Sequence, residues 1–227
     1  MKTYLPRFLL LASMSSLFVM SGYATVIESL PFTITKAGTY TLDGNLKYTG
    51  AANTDAITVT ASNVILDLNG YTLSGTNTVA IFGGGASNIT VQNGTITGFF
   101  VGVLFENGSQ ALLQNLRLSN ASAACIELIN FTSSTIQNCF VLGTSSPGAD
   151  GIYLGGCQGI VVKSNQISND GVGCDSNDSF GNIFIADQLT NCTYGLYLGI
   201  PDKYQGNVTI ACTTPFTGGT AVGYENN

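Results

Sequence analysis

A parallel β-solenoid is the fold class that this sequence predicts, and three observations carry it. The first is composition: only 9% of the residues are charged, while Gly, Asn, Ser and Thr are abundant. Helix formers are scarce and β-branched residues plentiful, which favours strands. The second is alternation. The stretch SNITVQNGTITGF, from Ser87 to Phe99, alternates apolar and polar, breaks at Asn93-Gly94, then alternates again. The third is a repeat. One apolar column runs Leu73, Ile96, Leu118, Val141, Ile167 and Leu189, with spacings of 23, 22, 23, 26 and 22. A second runs Ile57, Ile81, Val103, Ile126, Ile152, Cys174 and Leu196, with spacings of 24, 22, 23, 26, 22 and 22. Both columns lengthen at the same repeat, where Thr144-Ser145-Ser146-Pro147-Gly148 is inserted.

A period near 22 suits a leucine-rich repeat or a β-solenoid. The inward positions mix Ile, Val, Leu and Phe rather than forming a leucine comb, and every segment alternates with period two. Three short strands and three turns use up one repeat. Coils then stack about 4.8 Å apart, and their inward side chains form one continuous core.

The elements follow in order. Lys2 and Arg7 precede an apolar run from Phe8 to Met20, and Gly22-Tyr23-Ala24 supplies small residues for cleavage. Residues 1–24 are expected to be a signal peptide, so the protein should be exported to the periplasm, cell surface or medium. The run falls short of the roughly 20 residues of a spanning helix, and no later segment reaches that length, so no membrane span is expected. Residues 25–227 should form a single domain of seven to eight coils, each of 22–26 residues. Val26 to Lys47 is expected to cap one end and Thr213 to Asn227 the other, covering strand edges that would otherwise pair with another chain. Within the coils, Ile89, Val91 and Ile96 should point inward. Asn69-Gly70, Asn93-Gly94, Asn115, Asn138 and Ser164-Asn165 should make bends, since Asn and Gly tolerate left-handed backbone angles.

The run NTDAITVTASNVILDLNGYTLSG followed by SNITVQNGTITGF, with PFTITKAGTYTLDGNL as its lead-in, resembles the right-handed parallel β-helix proteins of the pectate-lyase-like superfamily. The resemblance extends from about residue 31 to 216. It implies a right-handed, all-β parallel β-helix, a fold that hosts lyases, hydrolases, epimerases, adhesins and binding modules.

Composition narrows the chemistry. Cleavage after Ala24 leaves five basic and thirteen acidic residues, a net charge of about −8. No nucleic-acid partner is expected, because phosphates would be repelled. The chain has no His, which excludes a Ser-His-Asp triad and imidazole metal ligation. Polygalacturonases of the resembled superfamily combine an acidic trio with His and a basic pair, a set this chain lacks. Its lyases use Ca²⁺ held by carboxylates and an Arg or Lys base. The mature chain offers Lys36, Lys47, Arg117, Lys163 and Lys203, and Arg117, within Leu116-Arg117-Leu118, should face solvent alone.

The residues just after the second inward column point outward: Thr58, Phe82, Leu104, Glu127, Tyr153, Asp175 and Tyr197. Phe82, Leu104, Tyr153 and Tyr197 form a candidate ligand-binding strip on which sugar rings can stack. Glu127 and Asp175, two coils apart at roughly 10 Å, are candidate catalytic carboxylates near the separation of an inverting glycosidase. Asp170, Asp175 and Asp178, in the Gly-rich segment from Asn169 to Asn182, are a candidate Ca²⁺ site; no other cofactor is indicated. The six cysteines allow disulfides in an exported protein, but no two share a column of adjacent coils, and Cys174 lies in an inward one. The expected function is a non-catalytic, exported scaffold that binds a polysaccharide or other glycan surface. The alternatives are a polysaccharide hydrolase or Ca²⁺-dependent lyase and a purely structural solenoid.

Overall fold

The computed structural model describes residues 23–51, 53–144 and 148–223. Residues 1–22 of the expected leader and the centre of the insertion at 144–148 lie outside the described residues. The described chain is all β: 23 strands join into one parallel sheet that winds through about eight turns.

Each turn lays one short strand on each of three faces. On the first face, Val79–Gly84, Val101–Glu106, Ala124–Ile129, Asp150–Gly155 and Val172–Ser176 stack in parallel. Both apolar columns read from sequence are in register, as Ile126 pairing with Ile152 and Val141 pairing with Ile167 illustrate. Ile57, Ile81, Val103, Ile126, Ile152, Cys174 and Leu196 are all fully buried. This is the core: aliphatic rows stacked coil on coil, each removing apolar surface from water.

The chain ends belong to the stack. Thr25–Ile27 lies on Gly38–Leu42, and Phe32–Ile34 lies on Ile57–Val59. At the other end, Thr214–Ala221 pairs in parallel with Tyr194–Gln205.

The bends use columns of left-handed residues. Asn69, Asn93, Asn115, Asn138, Ser164 and Ala186 occupy one corner of successive coils, all with φ between 53° and 59°. Asn93-Gly94 divides this work. Asn93 takes the left-handed angle, with φ 59°. Gly94 is needed for space, since a Cβ there would lie 2.3 Å from Leu68 Cβ. The single strand Ser87–Thr97 thereby runs through the bend: its pairing with Ser109–Ser119 skips Asn93 and resumes in the same register at Gly94.

Two kinds of polar ladder tie the coils. One is outside: Asn115 Nδ2 donates to Asn93 Oδ1 at 3.3 Å, and Asn93 Nδ2 donates to Asp67 Oδ2 at 3.0 Å. Beside it, Gln137, Gln114 and Gln92 pass hydrogen bonds down to Asp67. The other is inside. Cys139 N donates to Asn165 Oδ1, Asn165 N to Asp187 Oδ1 and Asp187 N to Asn207 Oδ1, all at 2.8–2.9 Å and buried. A second buried ladder links Ile160 N, Asn182 and Asp202. No helix among the described residues is long and apolar enough to cross a membrane.

Candidate functional site

The outward row is continuous. Thr58 pairs with Phe82, Phe82 with Leu104, Leu104 with Glu127, Glu127 with Tyr153, Tyr153 with Asp175 and Asp175 with Tyr197. Every member is half-buried, held at its root by neighbouring strands and open at its tip. Glu127 and Asp175 therefore flank Tyr153 directly, one coil away on either side.

Glycines decide how the aromatic rings lie. A Cβ at Gly155 would meet Tyr153 Cε1 at 2.9 Å, and one at Gly84 would meet Phe82 Cζ at 3.1 Å. Both rings are folded along their own strands, over backbone that only glycine leaves bare. At the far end of the row, the rings of Tyr194 and Tyr197 lie 5.7 Å apart.

One acidic residue joins this group unannounced by the sequence pattern. Asp150 pairs with Ala124 and Val172, three residues before Tyr153, and period two would send it to the opposite side. The strand carries two consecutive buried residues, Gly151 and Ile152, at the corner where it enters the first face. Asp150 and Tyr153 therefore both face outward. With Glu127, Ala123, Ala124 and Gly148 they line a shallow depression of about 310 Å³.

The electrostatics of this group are one-sided. Burial first, then the carboxylates of Asp175 and Glu127, push Asp150 up to about 7. Glu127 is raised by burial and then by Glu106. Asp175 is raised by burial and by Asp178, although an N–H from Asn177 to its Oδ1 at 2.9 Å opposes the shift. The Tyr153 hydroxyl is also raised, first by burial and then by Asp178, Asp175, Glu127 and Asp150. Every charged group acting on these four residues is a carboxylate.

The expected cation site is not assembled. Asp170 is buried in the core, against Gly143 and Gly151, with both carboxyl oxygens lacking a hydrogen-bond partner. Asp175 faces outward on the first face and Asp178 is exposed beyond it. The reason is the corner after Asn169: its left-handed angle turns the following side chain inward. Among the described residues, no group of three or more His, Cys, Asp or Glu is placed to hold a metal ion. Arg117 is exposed and lies over the Phe140 ring, 4.7 Å from its centroid, on another face from the carboxylates.

Comparison with known proteins agrees with this architecture. The family model described as the right handed beta helix region matches residues 51–211, and the chain belongs to that family. No curated protein matches the sequence. Among solved structures, an alginate lyase from Paenibacillus sp. str. FPU-7 is 13% identical with a TM-score of 0.54, over 86% of this chain and 99% of that one. A polygalacturonase from Erwinia carotovora ssp. carotovora is 12% identical with a TM-score of 0.54, over 91% and 84%. The Dettilon tailspike protein matches at 12% identity and a TM-score of 0.54, over 90% of this chain and 59% of the tailspike chain. At these identities the likeness is one of fold.

Proposed function

We propose that this chain is an exported polysaccharide-binding β-helix that holds a glycan along the outward row from Phe82 to Tyr197. One observation carries the reading: Tyr153 lies on Gly155 between two carboxylates, within a row that keeps register over seven coils. Aromatic rings offer stacking surfaces for sugar rings, and carboxylates accept hydrogen bonds from sugar hydroxyls. A 4.8 Å coil repeat places such groups at regular intervals along an extended chain. The named activities of the alginate lyase and the polygalacturonase support a polysaccharide as the ligand class. The carboxylates of the row, which holds no Lys or Arg, disfavour a uronate chain and favour a neutral or amino-bearing glycan.

A second reading has one observation in its favour. Asp150 is held near neutral pH beside Glu127 and Asp175, as a general acid of a glycoside hydrolase would be. The binding reading rests on a row of rings and carboxylates in register over seven coils and the hydrolase reading on one carboxyl group, so binding is the better supported of the two.

The test is a polysaccharide binding screen on the mature protein, with and without Ca²⁺, in parallel with an assay for released sugars. Retention of a neutral or amino-bearing polysaccharide without product supports the binding reading. Product release that disappears in Asp150→Asn replaces it with the hydrolase. No retention of any polysaccharide leaves a structural solenoid. Mass spectrometry of the secreted protein tests export, with a new N-terminus at Thr25 expected and a retained Met1 contradicting it.

A further inference from the structure

At a period near 22, no two cysteines fall in one column of neighbouring coils. The last coil is shorter. Thr190 pairs with Ile210 and Tyr194 with Thr214, both 20 residues apart. Residues 192 and 212 lie midway between these pairs, so Cys212 stacks on Cys192 in the next coil. Asn191 N donates to Ile210 O at 2.9 Å and Thr213 N to Cys192 O at 3.1 Å, which closes the register on both sides. Asn191 and Ala211 both have φ 55°, so the two following side chains turn inward at the same corner.

We propose that Cys192 and Cys212 form a disulfide that clamps the last coil of the helix to the one before it. In-register residues of adjacent parallel coils are about 4.8 Å apart, inside the Cα separation of about 4.4–6.8 Å that a disulfide spans. All six cysteines are thiols in this structure, and the other four each stand in a column of their own. The Cys192 thiol is buried, and burial and the neighbouring Cys212 both push it up, to about 12. The Cys212 side chain is half-buried, at the end of the stack. This asymmetry sets the order of events. Cys212, as its thiolate, attacks a small external disulfide and expels one thiol, leaving a mixed disulfide. Cys192 then loses its proton, attacks Cys212 Sγ and expels the second external thiol. Two protein thiols lose two electrons and two protons, and the external disulfide gains both.

The clamp has a structural purpose. Among the described residues the last coil pairs on one side, through Val208–Ile210 on Gln188–Thr190, and Val208 and Ile210 within it are exposed. A bridge closing a loop of roughly 20 residues restricts its opening. The test treats the full mature chain with oxidised glutathione at mildly alkaline pH, then maps peptides by mass spectrometry and follows hydrogen exchange. The expected result is a cross-linked peptide containing Cys192 and Cys212, with the other four thiols still alkylatable. Amide exchange in Thr214–Ala221 should slow about ten-fold or more and recover on reduction. In Cys192→Ser, glutathione should remain attached at Cys212. Retention of all six thiols, a bridge between another pair, or a bridge that leaves exchange unchanged would each overturn the proposal.

Discussion

The coils before the insertion and the coils after it have the same outline but close one corner by opposite means. Before it, Leu68 and Leu116 fill the inside of one corner, and the hydrogen bonds linking coils run outside, through Asn93, Asn115, Gln92 and Gln114. After it, the same corner column holds Asn165, Asp187 and Asn207, all buried, each accepting a backbone N–H from the coil before. Asn182, Asp202 and Ser179 do the same at other corners, where Ser134 already does so one coil before the insertion. Apolar filling gains from burial and leaves coil-to-coil bonding to solvated side chains. Polar filling satisfies the backbone directly, but every member depends on the next, because a partnerless polar group in the core costs more than its bond returned.

The largest effect is expected when the second half is given the corner of the first. Asn165 accepts from Cys139 N and donates to Ile136 O and to Asp187 Oδ1. Asn165→Leu keeps the branched shape but removes the side-chain partner of Cys139 N and Ile136 O and one of the two Asn165 bonds to Asp187 Oδ1, so a loss of roughly 3 kcal/mol is expected in denaturant unfolding. Leucine is already native at the equivalent Leu116, so the cost lies in the neighbours rather than in leucine.

A smaller effect, of opposite sign, is expected at Asp187. Its Oδ2 is buried without a partner, while Asn165 and Asn207 in the same column give their Nδ2 hydrogens to Ile136 O and Phe184 O. Burial raises Asp187 from 3.8 to about 7, against the opposing hydrogen bonds of Asn165. The folded state therefore holds this proton at pH values where the unfolded chain has released it. The stability so gained is complete below about pH 4 and is lost as pH rises through about 7. Asp150 and Asp170, raised to about 7 and about 8 mainly by burial, act in the same direction. Thermal melts should show the protein more stable at pH 5 than at pH 8. Asp187→Asn should raise stability at pH 8 by about 1–3 kcal/mol and flatten part of that slope. A melting temperature that rises from pH 5 to pH 8 would count against the buried-carboxylate account.

The smallest effect belongs to the outer ladder. Asn115 is exposed, with φ 54° and one bond to Asn93. Asn115→Leu should cost about 1 kcal/mol, mostly for the left-handed angle, and Asn115→Gly should be close to neutral. Equal melting temperatures for the wild type and the Leu variant would remove the outer ladder as a stabilising feature.

How much of this is legible in the sequence follows from periodicity. Ile126 and Val141 recur at the coil period with period-two neighbours, so both core columns and the outward row from Thr58 to Tyr197 can be read from the residues alone. Asp150 cannot, because the strand turns a corner at Gly151 and Ile152 and the alternation skips a step. Nor can Tyr194, which stands at the same corner two coils on. Asn165 reads as a turn residue because its type favours turns, and only the fold shows that Ser164 takes the left-handed angle while Asn165 turns inward. Asp170 reads as a loop ligand for the same reason and is equally buried. The Cys192–Cys212 stack is hidden by a coil of 20 residues at the end of a run near 22.

Whether the outward row binds glycan is decided by the affinity of the mature protein and of Tyr153→Ala for one neutral polysaccharide, with melting temperatures taken alongside. If the row binds, the variant should lose about ten-fold or more in affinity, the 1–2 kcal/mol of one stacked ring, while its melting temperature changes little. Undiminished binding by a folded Tyr153→Ala would refute the glycan row and move the ligand off this face.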